Sequence, residues 1–540
     1  MRDRARRFAA LCAGALATAT APTLAPAQAR QAPAPSAFER EITQSRVMVR
    51  SIVLQGARSL SAADVREVAV RYEGRALDDG DLREIERRFT QLYIDRGYVT
   101  SGVVLKARPQ GEEAVFVAVE GTIDQVRFVE PPRHASARWL ASRLVPDPRA
   151  PARLADLQER MTAMRESGIV ERINAELVPL PEVGLSELRV TVEESRPWDI
   201  ELRYDNYHSP AVGARRPSAI FSHRNLSGWG DGLTVRLGRT QGLHDARVDY
   251  AIPVPRTPWR LGVRYERSDS LAIDPPAFRE LDIASYARTA GAEVGYSWLN
   301  RPALSFATSV AFEKRESESM LLGMPFSFVA GIPDGISKVD VVRAIGELNA
   351  SRTDQVTFAR AQVSVGRTNV SGEAADAAAR RFRSIALQAQ YARRLSEWGL
   401  QGLARIDAQF TNDSLLPLEK KPLGGIETVR GCRENVLLRD RAVAATLELR
   451  APVWRWEERV RLIVSVFADA GWGRDAVARD DGLPRRISSV GIGLALVLPA
   501  GLSLRIDHAR PNVRWLTERR DWQDRGLHFQ LSWRPAALLP

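Results

Sequence analysis

"WRLGVRYE", residues 259–266, alternates without a break: Leu261, Val263 and Tyr265 fall on one face of an extended chain, and Arg260, Gly262, Arg264 and Glu266 on the other. The device recurs downstream. Leu502, Leu504 and Ile506 stand against Ser503, Arg505 and Asp507, and "LHFQLSW" sets Leu527, Phe529, Leu531 and Trp533 against His528, Gln530 and Ser532. A soluble β-sandwich also alternates, but it does not place Arg, Asp and Glu so regularly opposite its apolar face over residues 196–540. An apolar outer face and a polar inner one suit strands that stand in lipid around a wet lumen. At an average period of about 20 to 22 residues, this region predicts a transmembrane β-barrel of about 16 antiparallel strands. Trp198, Tyr207, Trp229, Trp259, Trp298 and Trp533 are expected to form its interfacial girdles.

The N-terminus agrees with export. Arg2, Arg4, Arg6 and Arg7 precede the small, apolar run "FAALCAGALATATAPTLA", and Ala27-Gln28-Ala29 has the form that signal peptidase cuts, so residues 1–29 read as a secretory signal. Leu11, just before Cys12, is not the small residue that a lipid-anchoring site needs. Maturation near Arg30 leaves Cys432 as the sole cysteine, and no internal disulfide can form. After the signal there is no apolar run of about 18 residues, which excludes a spanning helix but not a barrel. A net charge of +11 and a pI near 10.0 suggest polyanions. In an exported chain, lipopolysaccharide phosphates or a basic lumen fit that charge better than nucleic acid.

Before Arg196 the periodicity is mixed. "VRSIVLQG" reads as a strand, "SAADVREVAVRYEG" as a helix capped by Ser61, and "DDGDLREIERRFTQLYIDRGY" as a second helix, with Leu82, Ile85, Phe89, Leu92 and Tyr93 on one face. "VTSGVVLKA" and "AVFVAVEG" close a β-α-α-β-β module. The order starts again with "TIDQVRFVE", two helices, "VERINAELVPL" and "SELRVTVEES". The expected layout is a short N-terminal segment 30–47, modules at 48–121 and 122–195, and the barrel at 196–540.

These tandem modules resemble POTRA domains. "RGYVTSGVVL" and "VAVEGTIDQVRFVE" are similar to the first POTRA of the ShlB/FhaC/HecB family of haemolysin secretion/activation proteins, within the BamA-like POTRA-plus-barrel superfamily. "GGIETVRGCRENVLLRD", Gly424 to Asp440, lies between two barrel strands and contains Val429-Arg430-Gly431, similar to the superfamily's V-R-G loop tip. "VSVFADAGWG" supplies Phe467, Asp469 and Gly471, matching its F-x-D-x-G inner-wall motif, and "SHRNLSGWGDGLTVRLGRTQ" resembles its early N-x-x-G-x-G-D strand pair. The resemblance implies a loop folded into the barrel with Arg430 paired to Asp469, a charge-assisted contact between groups that are costly to bury alone. Cys432 stands where the family has an aromatic residue. "AFEREITQ" is too short for the long plug helix seen in many relatives, so a plugged lumen is not expected.

The six histidines are scattered without metal-ligand spacing, and no G-x-S-x-G elbow or phosphate loop appears, so neither a metal, a cofactor nor enzymatic activity is expected. The resemblance implies an outer-membrane transporter that captures an extended haemolysin- or adhesin-like exoprotein through periplasmic POTRA domains. Capture would involve β-augmentation, with Leu82, Phe89, Tyr93 and Val103 as client-binding candidates. Its other expected partners are outer-membrane lipids, lipopolysaccharide and the barrel-assembly machinery that inserts it. The alternatives are an assembly insertase of the BamA/TamA type, favoured less by two modules than by more, and a passive porin or adhesin.

Overall fold

The computed structural model describes residues 46–275, 277–371, 378–457, 459–477, 482–513 and 521–535. The signal sequence and "AFEREITQ" lie outside them. Two compact units form among the described residues, one from 46–90 and Val103–Ala118, the other from Gln91–Gly102 and Val119 onward.

In the first unit, β1 (Val47–Val49) and β2 (Ser51–Gln55) replace the single expected strand, because the chain bends at Arg50. Helix α1 (Ala62–Ala69) starts in a capping box: the Ser61 hydroxyl accepts from the Asp64 N–H, and the Asp64 carboxylate accepts from the Ser61 N–H. A short β3 (Arg75–Leu77), too brief to show a period in the sequence, pairs with β1. Asp78 caps α2 (Asp79–Asp95), and the Asp81 N–H that it accepts holds its carboxyl below the usual range. Then come β4 (Gly102–Leu105) and β5 (Glu113–Val119), in a sheet of order β2–β5–β4.

The second unit opens with the other module: β6 (Thr122–Phe128), α3 (Ala137–Leu144), α4 (Leu154–Glu166), β7 (Val170–Pro179) and β8 (Leu185–Glu194). Its sheet runs β6–β8–β7, and Trp139, Leu140, Leu144, Leu188 and Val190 fill its core.

The barrel strands follow. They are β9 (Trp198–Asp205), β10 (Arg216–His223), β11 (Gly232–Arg239), β12 (Leu243–Pro253), β13 (Trp259–Leu271), β14 (Ala284–Arg301) and β15 (Leu304–Leu321), with a two-residue stub, β16 (Met324–Pro325). Next are β17 (Ile336–Ser351), β18 (Gln355–Thr368), β19 (Arg381–Arg394) and β20 (Gln401–Thr411). A hairpin, β21 (Lys421–Leu423) and β22 (Leu437–Arg439), stands apart from the wall, and β23 (Arg441–Trp456), β24 (Val460–Arg474), β25 (Arg486–Val497), β26 (Leu502–Pro511) and β27 (Leu527–Trp533) complete it. Sixteen antiparallel strands close the barrel, β27 meeting β9 through Leu202–Asp205 against Gln530–Trp533. Among the described residues no helix is long and apolar enough to cross a membrane, so the crossing falls to strands.

The alternation decides what faces out. Leu261, Val263 and Tyr265 are exposed on the outer wall, while Arg264 turns inward to an ion pair with Glu313. Trp259, Trp298 and Trp533 are exposed as girdle residues should be. Two girdle expectations fail. Tyr207 turns inward, its ring 6.3 Å from that of His528. Trp229 packs against the core of the second module because its turn is docked there.

Candidate functional site

Residues 412–440 leave β20 and fold back into the lumen. Their conformation begins with local chemistry: Gly424, Gly425 and Gly431 all have positive φ, a region open mainly to glycine. The Gly424 N–H donates to the Thr428 hydroxyl at 2.8 Å, and the Gly425 N–H to the Val429 carbonyl at 3.1 Å. This compact turn sits on the β21–β22 hairpin and presents Arg430 to the wall. Gly431 has a second reason to be glycine, since a Cβ there would stand 2.8 Å from the Ala509 carbonyl oxygen.

Arg430 is 3% exposed. Its Nε and Nη2 donate to the two oxygens of Asp469 at 2.8 and 2.9 Å, and its backbone N–H reaches the same carboxylate at 3.1 Å. Nη1 donates to Glu448 at 2.8 Å and stands 3.6 Å from Asp507. The guanidinium lies 3.3 Å from the centre of the Phe467 ring, a position in which the ring face attracts the cation. Gly471 leaves room for Val429, whose Cγ2 a Cβ there would approach to 3.0 Å. Thus Val429, Arg430, Gly431, Phe467, Asp469 and Gly471 converge on one point of the wall.

The site is larger than those two strings. Glu448 also binds Arg450, Asp507 also binds Arg505, and the Gly431 N–H donates to His528 Nε2 at 3.1 Å. Of these, Asp507 and His528 are legible as inward positions of alternating strands, whereas Glu448 carries no motif. Cys432 is buried with Leu423, Val429, Leu437 and Ile487, where there is room for a small side chain in place of an aromatic ring.

The loop has a second anchor of opposite sign. Glu419 accepts from Arg343 Nη2 on β17 at 2.9 Å and from Arg315 Nη1 on β15 at 2.7 Å, and Arg343 also pairs with Glu313 at 3.1 Å. Beyond the tip, Arg433 binds Asp524 and Asp274.

The N-x-x-G-x-G-D string has a structural role as well. Asn225, Gly228, Gly230 and Asp231 form the β10–β11 turn, in which Asp231 accepts from Ser227 and Tyr250 and Asn225 accepts from the Gly230 N–H. The Ser136 N–H donates to the Gly228 carbonyl at 2.9 Å, and a Cβ at Gly230 would lie 2.2 Å from the Trp139 indole. The turn is therefore the seat of the second module on the barrel.

The client-binding candidates need correction. Leu82, Phe89, Tyr93 and Val103 are all 5% exposed or less, because the helical and strand periodicities that single them out mark core positions. Phe89 packs its ring on Phe116, and the Tyr93 hydroxyl donates to Glu120. The β4 edge is also covered: the Val103 N–H donates to Thr90 Oγ1 at 3.0 Å, and the Leu105 N–H to Glu86. At the other edge, on β2, the Ile52 N–H is taken by Glu73, while the Leu54 N–H, on the same side, has no partner among the described residues.

Among the described residues no cluster of His, Cys, Asp and Glu could hold a metal ion. A closed sixteen-strand barrel preceded by small α+β modules, with a long loop pinned inside its lumen, defines an outer-membrane β-barrel transporter. The chain belongs to the family described as haemolysin secretion/activation protein ShlB/FhaC/HecB, whose model matches residues 184–496, and a ShlB-type POTRA model matches 47–117.

Among curated relatives, the heme/hemopexin transporter protein HuxB of Haemophilus influenzae is 21% identical over 83% of this chain and 80% of its own. The hemolysin transporter protein ShlB of Serratia marcescens is 28% identical over 33% and 31%. The solved structure of CdiB from Escherichia coli covers 95% of this chain and 93% of its own at 18% identity, with a TM-score of 0.68. BamA from Haemophilus ducreyi lacking POTRA domains 1–3 covers 91% and 100% at 14% identity, with a TM-score of 0.54. The chain is thus a two-partner secretion transporter of the outer membrane with periplasmic POTRA modules, and the insertase alternative is the less supported.

Proposed function

We propose that this chain exports one haemolysin- or adhesin-like exoprotein in extended form, and that export requires the Arg430 tip to leave the wall. In this reading residues 48–121 and 122–195 are the capturing modules, 196–540 is the pore, and the signal at 1–29 is removed. The observation that carries the proposal is the burial of one arginine against Asp469 and Glu448 at the end of a loop occupying the lumen. Such a contact persists only while its geometry is kept. The client would pair with the β2 edge at Leu54 rather than with the covered β4 edge, reading backbone more than sequence. Outer-membrane lipids and the barrel-assembly machinery are its other proposed partners.

The test is Arg430→Ala in cells that co-express the exoprotein. We expect secretion to collapse while the barrel remains in the membrane and heat-modifiable on gels. Undiminished export would remove the loop tip from the mechanism.

A further inference from the structure

The N-terminal modules are periplasmic, so the turn at 225–231 is too. The outer ends of β18, β20 and β24 and the starts of β19, β23 and β25 therefore lie at the cell surface. On the outer wall there, between β17 and β24, is a hollow of about 1230 Å³. Its lower part is apolar: Phe312, Val342, Val363, Val365, Ile385 and Phe410 are each 43% to 52% exposed on the lipid-facing side of their strands. Its upper rim carries five arginines, Arg367, Arg381, Arg383, Arg441 and Arg474.

Among the described residues, carboxylates do not balance that rim. Asp340 bridges Arg367 at 2.9 Å, and Asp413 accepts the backbone N–H of Arg383. The Arg381 and Arg383 side chains have no ion pair among the described residues. Arg474 lies beside the Trp472 ring, and Arg441 donates to the Thr411 carbonyl and Asn412. The neighbouring rim differs. On β13–β15 the outward Arg267 and Arg288 stand among Asp269, Glu316 and Glu318, and Arg267 bridges Asp269 at 2.8 Å.

We infer that the β17–β24 hollow binds the lipid A portion of lipopolysaccharide, its phosphates on the arginine rim and its acyl chains on the aliphatic wall below. Guanidinium forks bind phosphate through paired, charge-assisted hydrogen bonds, and cations at headgroup level are favourable where deeper in the bilayer they would be costly. An apolar floor below a cationic rim selects an anion that carries acyl chains. The inference rests on the barrel's place in the outer membrane and not on which client it exports, so failure of the loop-tip mechanism would leave it standing.

The test uses the full-length transporter in phosphatidylcholine nanodiscs titrated with bisphosphorylated lipid A, with bound lipid read by native mass spectrometry. The Arg381→Glu/Arg383→Glu double variant should bind about tenfold more weakly or worse. Arg267→Glu/Arg288→Glu, on the neighbouring β13–β14 rim, should bind as the parent does, and heat-modifiable migration checks that each barrel is folded. Dephosphorylated lipid A and inorganic phosphate should both bind poorly. Equal binding by the two double variants, or equal binding of dephosphorylated lipid A, would overturn the assignment. So would displacement of lipid A by an equimolar amount of phosphatidylglycerol.

Discussion

Arg430 draws its strength from number and geometry together: a bidentate pair with Asp469, a third bond to Glu448 and a ring beneath. Asp469, unlike Glu448 and Asp507, has no second arginine among the described residues, so truncating Arg430 strands a nearly dry carboxylate. Breaking a buried pair in this way costs about 3–5 kcal/mol. Arg430→Lys keeps the charge but loses the planar fork. Its export should fall between wild type and Arg430→Ala when both are measured in the culture supernatant. The Arg430–Asp469 contact was legible because two short strings occur in the right order. Glu448 was not, since an inward Glu in "TLELR" looks like any lumen charge. The four POTRA candidates failed for a related reason: periodicity finds the face of a helix that packs, and the packed face is not the one that a client touches.

At the level of elements, a turn and an edge carry the testable content. Gly230 has φ +74 and lies against the Trp139 indole, so Gly230→Leu must push the second module off its seat. Periplasmic proteolysis after Arg133 or Arg138 should accelerate in that variant, with the barrel itself still heat-modifiable. Unchanged cleavage would mean that the turn does not hold the module. Proline at Val103 would not test pairing with a client, because the N–H it removes is already bound to Thr90. The informative position is Leu54. Leu54→Pro deletes the β2 donor that no described residue takes and should lower release of one co-expressed exoprotein without changing other outer-membrane proteins. A joint fall of many barrel proteins would instead favour the insertase. The barrel and its approximate strand number were readable because alternation recurs in stretch after stretch at a regular spacing. The β1–β3 pair was not, since three-residue strands carry no period to detect.

For the molecule as a whole, topology follows from which turns touch the second module. A cysteine at Ala62 should resist membrane-impermeant maleimide in intact cells, one at Met324, which is 66% exposed on an outer loop, should react, and native Cys432 should stay silent. Labelling at Ala62 would invert the orientation. The barrel was largely legible as a class, whereas its interior was not, because ion pairs such as Glu419 with Arg343 join residues 76 positions apart and no local pattern links them. That last pair has a consequence for how the pore could be opened. The loop is tied to a basic wall by its Glu419 end and to an acidic wall by its Arg430 end, so a passing chain acts on the two ties in opposite ways. An acidic stretch competes for Arg343 and Arg315, and a basic stretch competes for Asp469 and Glu448. The order of charges along a client would therefore set which end of the loop lets go first.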